Sequence, residues 1–399
     1  MILADILSAT ILFAIPLLLV ALGGMFSERS GVINIALEGI MIIGALISCL
    51  FLARINQQYE AVNGLITSAM NSKGDIFQQV LDYARRIGVE LPAELGKINS
   101  ATRLVNNGFL TRAQVASFLL EENLVSGFTG AEMNVYQLVN SHPQLIVLGA
   151  VAVAGLSGMA YSLLLAFASI RLKADQTIGG TSLNMLAPAF AITLTWAIQG
   201  QGQTTILIPS WIRIAGNTDT FLGRLVFKSC YLTTPIALGL LILAIVILYK
   251  TRLGLRLRAC GEHPQAAASV GVNVYRMRYT GVLISGFLGG IGGLAFTIAA
   301  GSGFQSSVAG YGFLALAVMI FGNWKPISIF FASLFFALFK VIGSFAGILS
   351  FLPKFESVAS SEYIYLMVPY IVTMIVLVLT GKKSRAPKAE GIPYDKGMR

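Results

Sequence analysis

The chain contains few of the residues with which enzymes do chemistry. Only 12% of its 399 residues are charged, and there are two histidines and three cysteines. Cys49, Cys230 and Cys260 lie in separate segments without C-x-x-C spacing, which argues against a cysteine zinc site and a disulfide framework. The ATP-binding pattern GxxxxGK(S/T) is absent. With no paired carboxylates, histidine cluster or activated nucleophile, the sequence does not indicate an enzyme.

Apolar residues are abundant instead. They make up 56% of the chain, against about 45–50% in soluble domains, and the mean hydropathy is +0.77. Nine runs approach the length of roughly 20 residues that crosses a bilayer. They predict an all-α polytopic membrane protein with eight or nine transmembrane helices, the run at 311–322 being too short to decide. The runs are 2–23, 33–53, 145–170, 181–199, 232–249, 275–300, 311–322, 327–350 and 363–380.

Basic residues between the runs predict the orientation, because cytoplasmic loops retain lysine and arginine. The first run carries Asp5 and has neither a basic start nor a cleavage site, so we expect it to be a retained helix rather than a signal peptide. Placing the basic loops inside puts the N-terminus outside and the C-terminus in the cytoplasm. The predicted divisions are transmembrane helices one and two at 1–54, an insert at 55–143, the core at 144–381 with a cytoplasmic loop at 250–274, and a basic tail at 382–399.

The insert at 55–143 has a charge balance of its own. It holds six basic and eight acidic residues, in keeping with an extracytoplasmic location. Apolar residues at helical spacing, such as Ile76, Phe77, Val80, Leu81 and Ala84, predict a small helical domain. Capping-box patterns support it; they begin at Asp75, Thr111 and Thr129. The insert is interpreted either as a structural lid or as a docking site for a partner.

Two features of the core predict close packing. Gly286 with Gly290, and Gly289 with Gly293, form overlapping G-x-x-x-G spacings in one apolar run, which is typical of helices in close contact. In the loop at 249–279, the alanines that follow Pro264 predict a short helix with a small-residue face. This helix either docks against another protein or lies on anionic lipid through Arg256 and Arg258.

Three stretches together resemble the membrane permeases of ABC importers for simple sugars and nucleosides. They are "FSERSGVINIALEGIMIIGA", "GLRLRACGEHPQAAASVGVNVYRMRY" and "GYGFLALAVMIFGNWKP", in the family's order and spacing. The resemblance covers about three quarters of the chain. It implies that the stretch 262–272 contains a coupling helix that contacts a separate ATPase subunit. The implied contact residues are Glu262, His263, Pro264, Ala266, Ala267 and Gly271.

The resemblance also implies the partners. ATP and Mg²⁺ would be bound by the ATPase subunit, so no cofactor is expected in this chain. A homologous second permease, an extracytoplasmic binding protein or lipoprotein, and membrane lipid are the expected partners, and nucleic acid is not. The expected location is the cytoplasmic membrane of a bacterium. The family normally has a shorter connection where this chain has its insert, which leaves the docking of the binding protein open.

The segment "RLKADQTIGGTSLNMLAPAFAITL" resembles the nucleoside branch of the family. Gln176 and Asn184 enter a membrane span there, and Gly179, Gly180 and Pro188 suggest a broken helix that lines a cavity. The alternative is a packing glycine pair with an asparagine satisfied between helices.

Aromatic and amide side chains are candidates for binding a nucleoside base and ribose. Trp196, Phe304, Gln305 and Tyr311 fit this chemistry, and "AAGSGFQSSVAGYGF" interrupts two spans, but packing and interfacial anchoring are alternatives.

Asn34 and Glu38 share a helix face in the second span. Glu38 either pairs with a basic or amide group of a neighbouring helix or lines the pathway.

The predicted function is therefore a nucleoside permease, with purine nucleosides favoured. A ribose or simple-sugar permease is the alternative. A proton-coupled secondary transporter is less favoured, because Glu38 is the only carboxylate well inside a span and no proton relay is visible.

Overall fold

Most of the chain that the computed structural model describes is helical. The described residues are 2–72, 75–87, 89, 100–106, 110–122, 124–200, 202, 204–214, 220, 223, 231–345, 367, 371, 374–375, 378 and 386–395. The helices are α1 Ile2–Arg29, α2 Leu37–Asn71, α3 Asp75–Arg86, α4 Ala101–Asn106, α5 Arg112–Glu121, α6 Gly130–Ser141, α7 Pro143–Ala166, α8 Gln176–Gln199, α9 Thr233–Lys250, α10 Arg252–Glu262, α11 Pro264–Ser269, α12 Val274–Ala300, α13 Tyr311–Phe321 and α14 Pro326–Phe345. A π-helical turn, Phe167–Arg171, extends α7, and Ser210–Ile212 forms a 3₁₀ turn.

The chain divides into two compact units. The membrane unit comprises Met1–Leu52 and Gln144–Arg399, and the insert unit comprises Ala53–Pro143. One boundary falls within α2, and the other follows Pro143, the first residue of α7.

Within the described residues, seven helices are long and apolar enough to cross a membrane. They are α1, α2, α7 with its π-helical turn, α8, α9, α12 and α14. The prediction of an all-α polytopic membrane protein is thereby confirmed. The eighth apolar helix, α13, has only 11 residues, so at 1.5 Å per residue it spans about 16 Å, roughly half of the hydrocarbon core. The ninth predicted run, 363–380, lies mostly outside the described residues, which include only 367, 371, 374, 375 and 378 of it.

Two stretches of the membrane unit leave the helical conformation inside the bundle. The chain is not helical at 30–36, between α1 and α2, nor at 301–310, between α12 and α13. Asn34 in the first stretch contacts Ser285, which lies near the middle of α12. The helix α2 therefore begins partway along the bundle rather than at its end. The second interruption agrees with the small and polar residues of that segment.

The predicted break in α8 is wrong. The helix runs continuously from Gln176 to Gln199 with Pro188 inside it. A proline inside a membrane helix is tolerated because small local adjustments satisfy the carbonyl group that it frees. Gly180 has a packing role instead, since a Cβ added there would meet Ile35.

The glycines of α12 allow close contact with two neighbours, as their spacing predicts. Gly286 and Gly290 face α7, and Gly289 and Gly293 face α2. A Cβ added at Gly290 would collide with the carbonyl oxygen of Ala154. Dispersion contacts between close backbones are a main source of helix association in lipid, so α12 is the packing centre of the membrane unit.

The insert unit has its own apolar core. In α3, Phe77, Val80, Leu81 and Ala84 are buried and Ile76 is partly buried, in agreement with the predicted helical face. They pack with buried side chains from the end of α2 and from α4 and α5.

Capping interactions define the starts of two insert helices. Thr111 with Gln114, and Thr129 with Glu132, form complete capping boxes before α5 and α6, as predicted. At the third predicted cap, Asp75 is the first residue of α3, and the two residues before it lie outside the described residues.

Candidate functional site

The carboxylate of Glu38 lies where the two interrupted segments meet. Its two oxygens accept hydrogen bonds from the backbone N–H groups of Gly310, at 2.9 Å, and Gly312, at 2.7 Å. Only 8% of the Glu38 side chain is exposed. A side chain at Gly312 would collide with the backbone of Glu38, so the glycine permits this approach. The partners of Glu38 are thus main-chain amides at the start of α13, a neighbouring helix.

Three of the polar side chains predicted along the pathway, Asn34, Gln176 and Asn184, form hydrogen bonds within or to the non-helical stretch that precedes Glu38. The Gln176 oxygen accepts from the N–H of Ile33 at 2.7 Å, and the Asn34 amide donates to the hydroxyl of Ser285 at 2.8 Å. Backbone groups away from water must be paired. The amide of Gln176 therefore replaces a hydrogen bond that a regular helix would supply.

Asn184 forms one hydrogen bond with the backbone of this stretch and one with the backbone of α2. Its amide nitrogen donates to the Ile35 carbonyl, and its oxygen accepts from the Gly39 N–H, both at 2.8 Å. The hydroxyl of Tyr161 donates to the carbonyl of the adjacent Leu183 at 2.7 Å. Both polar ends of Asn184 are thus engaged with the backbone, which favours the alternative of an asparagine satisfied between helices.

Of the four residues predicted to bind a nucleoside, two are buried and two are exposed. Phe304 is buried and pairs with Ile206 through two backbone hydrogen bonds of 2.9 Å, and Tyr311 is buried with its ring centroid 4.5 Å from that of Phe296. Phe304 lies on the interrupted segment 301–310, and Tyr311 is the first residue of α13, which follows it. Gln305 is exposed, and Trp196 is 45% exposed on α8. Along α8, 12 helical residues, about 18 Å, separate Trp196 from Asn184.

The place where segments 30–36 and 301–310 meet at Glu38 is called the crossing. Two buried amide atoms near the crossing can each form a further hydrogen bond. Among the described residues, the Asn34 oxygen and the Gln176 nitrogen have no hydrogen-bond partner. Buried polar atoms that lack a partner are costly. A polar molecule entering this region would therefore find one acceptor and one donor.

The predicted coupling residues lie at the end of α10, within α11 and just after it; α10 and α11 are called the coupling helices. His263 joins α10 to α11, and Pro264 is the first residue of α11, a position where proline is favoured. Of the predicted contact residues, His263, Ala266 and Gly271 are exposed, Glu262 is half-buried, and Pro264 and Ala267 are buried.

The surroundings of these two helices bear on the lipid alternative. Val270, which follows α11, is 78% exposed and enlarges the exposed face. Arg256 is exposed, whereas the guanidinium of Arg258 lies 5.3 Å from the ring centroid of Tyr249. One of the two arginines proposed to hold lipid is therefore occupied by a cation–π contact.

The end of α1 contains a second buried carboxylate that the sequence interpretation overlooked. Trp324 donates from its indole nitrogen to Glu28 at 2.5 Å, and Arg29 donates to the Trp324 carbonyl at 3.1 Å. Glu28 is 3% exposed. Both residues occur in stretches that carry the family resemblance, but nothing in their local sequence indicates the contact, because 296 positions separate them.

Comparisons with known proteins give the family of the chain. Residues 6–377 match the family model described as the permease component of the branched-chain amino acid transport system. The guanosine ABC transporter permease protein NupQ of Bacillus subtilis is 36% identical over 402 aligned positions, covering 100% of this chain and 98% of that protein. The nucleoside ABC transporter permease protein NupC of Lactococcus lactis is 33% identical, with 98% and 96% covered.

More distant relatives include the putative glucose ABC transporter permease protein TsgC13 of Haloferax volcanii. It is 26% identical over 338 positions, covering 81% of this chain and 72% of that protein. No solved structure matches the chain significantly. The bundle of apolar helices is consistent with the match to membrane permeases over almost the whole chain. The chain belongs to the branched-chain amino acid-type permease family and is a membrane-spanning permease subunit of an ABC transporter.

Proposed function

We propose that the chain is the permease of an ATP-driven importer for nucleosides, with purine nucleosides such as guanosine as the preferred substrates. The observation that carries this proposal is the match, over nearly the full length of both proteins, to a guanosine permease and a nucleoside permease. ATP and Mg²⁺ bind to a partner ATPase, and this chain supplies the path and the mechanical connection.

The crossing at Glu38 is the part of the path best suited to recognise a nucleoside. A base needs an apolar or aromatic surface, and its edge and ribose need amide or hydroxyl partners. Phe304 on the interrupted segment 301–310 and Tyr311 at the start of α13 provide buried rings. The open atoms of Asn34 and Gln176 provide one acceptor and one donor.

In the proposed cycle, the exposed side of α11 contacts the ATPase subunit. His263, Ala266 and Val270 form this side. ATP binding and hydrolysis in the partner shift the populations of outward-open and inward-open states by moving α10 and α11. The adjoining spans α9 and α12 carry that movement into the bundle.

The remaining parts of the proposal concern topology and partners. The N-terminus lies outside and the C-terminus lies in the cytoplasm of a bacterial cell. A homologous second permease completes the pathway; the nucleoside permeases NupC and NupB of one Lactococcus strain, which both match this chain, support a pair. A binding protein outside would meet the insert unit, in which Tyr59, Arg112 and Tyr136 line a groove of about 800 Å³.

Uptake by the reconstituted transporter tests the proposal. Liposomes containing this chain, the second permease, the ATPase and the binding protein should accumulate tritiated guanosine only when ATP is supplied. Ribose at the same concentration should not compete. Uptake of ribose without uptake of guanosine would replace the proposal with the sugar permease, for which the likeness to the glucose permease is the supporting observation. Uptake by this chain alone under a pH gradient would contradict an ATP-driven mechanism.

A further inference from the structure

A segment near the C-terminus packs against the two coupling helices. This segment, residues 386–395, is called the C-terminal strap. The Ala389 N–H donates a 2.8 Å hydrogen bond to the Gly261 carbonyl near the end of α10. Gly261 has no room for a side chain, because an added Cβ would meet the carbonyl of Arg29 and the ring of Pro387. The strap, α10 and the end of α1 are therefore in direct contact.

One aromatic ring of the strap connects three helices. Tyr394 is 6% exposed and forms a buried cluster with Cys260 of α10, Ala267 of α11 and Val274 of α12. Its ring also meets Tyr275 edge to face, with centroids 5.3 Å apart at 68°, a geometry that aromatic pairs prefer. Tyr394 thus fills the space where the coupling helices join the long helix α12.

Two polar contacts hold the strap on either side of this ring. Lys173, in the loop before α8, forms a 2.7 Å ion pair with Asp395. On the other side, the carboxyl group of Glu390 lies beside that of Glu28, and burial raises the pKa of Glu390. The strap therefore reaches from the loop before α8 to the end of α1.

The short helix α11 has little support apart from this contact. It has six residues, and only Pro264 and Ala267 are buried. A helix of this length is not stable on its own, so its position depends on packing. His263, with φ −143° and ψ 86°, leaves the helical conformation between α10 and α11. Without the strap, a push on α11 would bend the chain at His263 instead of moving α12.

We propose that the C-terminal strap is a positioning element for coupling: Tyr394 fixes α10 and α11 against α12, so that movement of the ATPase is transmitted to the transmembrane helices. The proposal rests on the proposed function of an ATP-driven permease. It assigns a role to residues of the basic tail that the sequence patterns did not distinguish.

The first test compares Tyr394→Ala with Tyr394→Phe in the complete reconstituted transporter. The alanine variant should hydrolyse ATP within about twofold of the wild-type rate but transport at least tenfold less substrate per ATP. The phenylalanine variant keeps the ring and should behave as wild type. Tyr394→Leu, which keeps apolar volume, should show an intermediate ratio. An unchanged ratio in the alanine and leucine variants would overturn the proposal, as would a loss of both activities in proportion to the amount of protein in the membrane.

The second test uses Cys260 as a reporter that needs no transport. Its thiol is buried against Tyr394, and burial raises its pKa, so a maleimide should label it slowly. In a background of Cys49→Ala and Cys230→Ser, Tyr394→Ala should speed labelling of Cys260 at least tenfold, and Tyr394→Phe should not. Continued protection in the alanine variant would overturn the proposal. A wild-type complex that neither hydrolyses ATP nor transports nucleosides, with Cys260 responding as expected, would contradict the proposed function instead.

Discussion

Glu38 and Glu28 are both buried carboxylates in the membrane unit, but different kinds of group satisfy them. Glu38 accepts hydrogen bonds from the main-chain amides of Gly310 and Gly312, whereas Glu28 accepts one from the side chain of Trp324. Main-chain donors at the start of a helix cannot rotate away, but side chains can change rotamer. The comparison suggests a fixed crossing inside the bundle and an adaptable end where the coupling helices attach.

The largest effect is expected from removing the carboxylate at the fixed crossing. Glu38→Ala removes the acceptor of one buried and one part-buried N–H group, which should cost about 2–6 kcal/mol of stability at 1–3 kcal/mol for each group. Thermal unfolding of the purified chain in detergent measures this cost, and guanosine uptake should be lost. The exposed carboxylate Glu60 lies on the same helix, so Glu60→Ala is the control and should change stability by less than about 0.5 kcal/mol. Equal unfolding temperatures for the two variants would show that the buried carboxylate contributes no more to stability than the exposed one.

The packing that keeps the crossing fixed should be the next most sensitive. Gly290→Ala places a Cβ against the backbone of α7, and such overpacking costs about 1–3 kcal/mol. Gly239→Ala in α9 is the matched control, since nothing lies within 4 Å of its added Cβ; it should be neutral or stabilise the helix by up to about 1 kcal/mol. Both are read by thermal unfolding. If the Gly290→Ala protein were as stable as the control, the contact between α12 and α7 would have to be able to move apart without cost.

A smaller effect is expected at the adaptable end. Trp324→Phe removes the indole donor to Glu28 but keeps an aromatic ring, and neighbouring side chains can adjust, so the cost should be about 1 kcal/mol. Trp196→Phe, on the exposed side of α8, should cost less. A loss as large as that of Glu38→Ala would mean that this end is as rigid as the crossing.

The smallest effect is expected at the outer contact of the strap. Lys173 and Asp395 have side chains 45% and 43% exposed, and exposed ion pairs contribute about 0–1 kcal/mol. Lys173→Ala should therefore change the unfolding temperature slightly, and the difference should shrink in high salt because ions screen exposed charges. A large difference that persists in high salt would show that the ion pair, rather than Tyr394, holds the strap.

Local patterns in the sequence were sufficient for several features. The spacing of Gly286, Gly289, Gly290 and Gly293 predicted the close contacts of α12, and the capping patterns predicted two insert helices. These predictions are confirmed because each sequence pattern and the helix feature that it predicts lie within a few residues of each other.

Contacts between distant parts of the chain could not be predicted in the same way. The partners of Glu38 are backbone groups 272 and 274 positions away, and main-chain donors carry no side-chain signature. The conformation of α8 was predicted wrongly because glycine and proline were taken as helix breakers in a setting where packing decides. The roles of Tyr394 and Glu28 depend on a tertiary fold that brings the chain's end back to α1.

The position of Glu38 has an electrostatic consequence. It lies in the first turn of α2 and accepts hydrogen bonds at the start of α13, so it is close to two helix N-termini. Each terminus carries about half a positive charge from aligned peptide dipoles. One carboxylate therefore acts as the counter-ion that lets two like-charged helix ends face each other inside the membrane unit. In Glu38→Ala, a small anion such as formate has the charge and size to take that place and restore part of the lost stability.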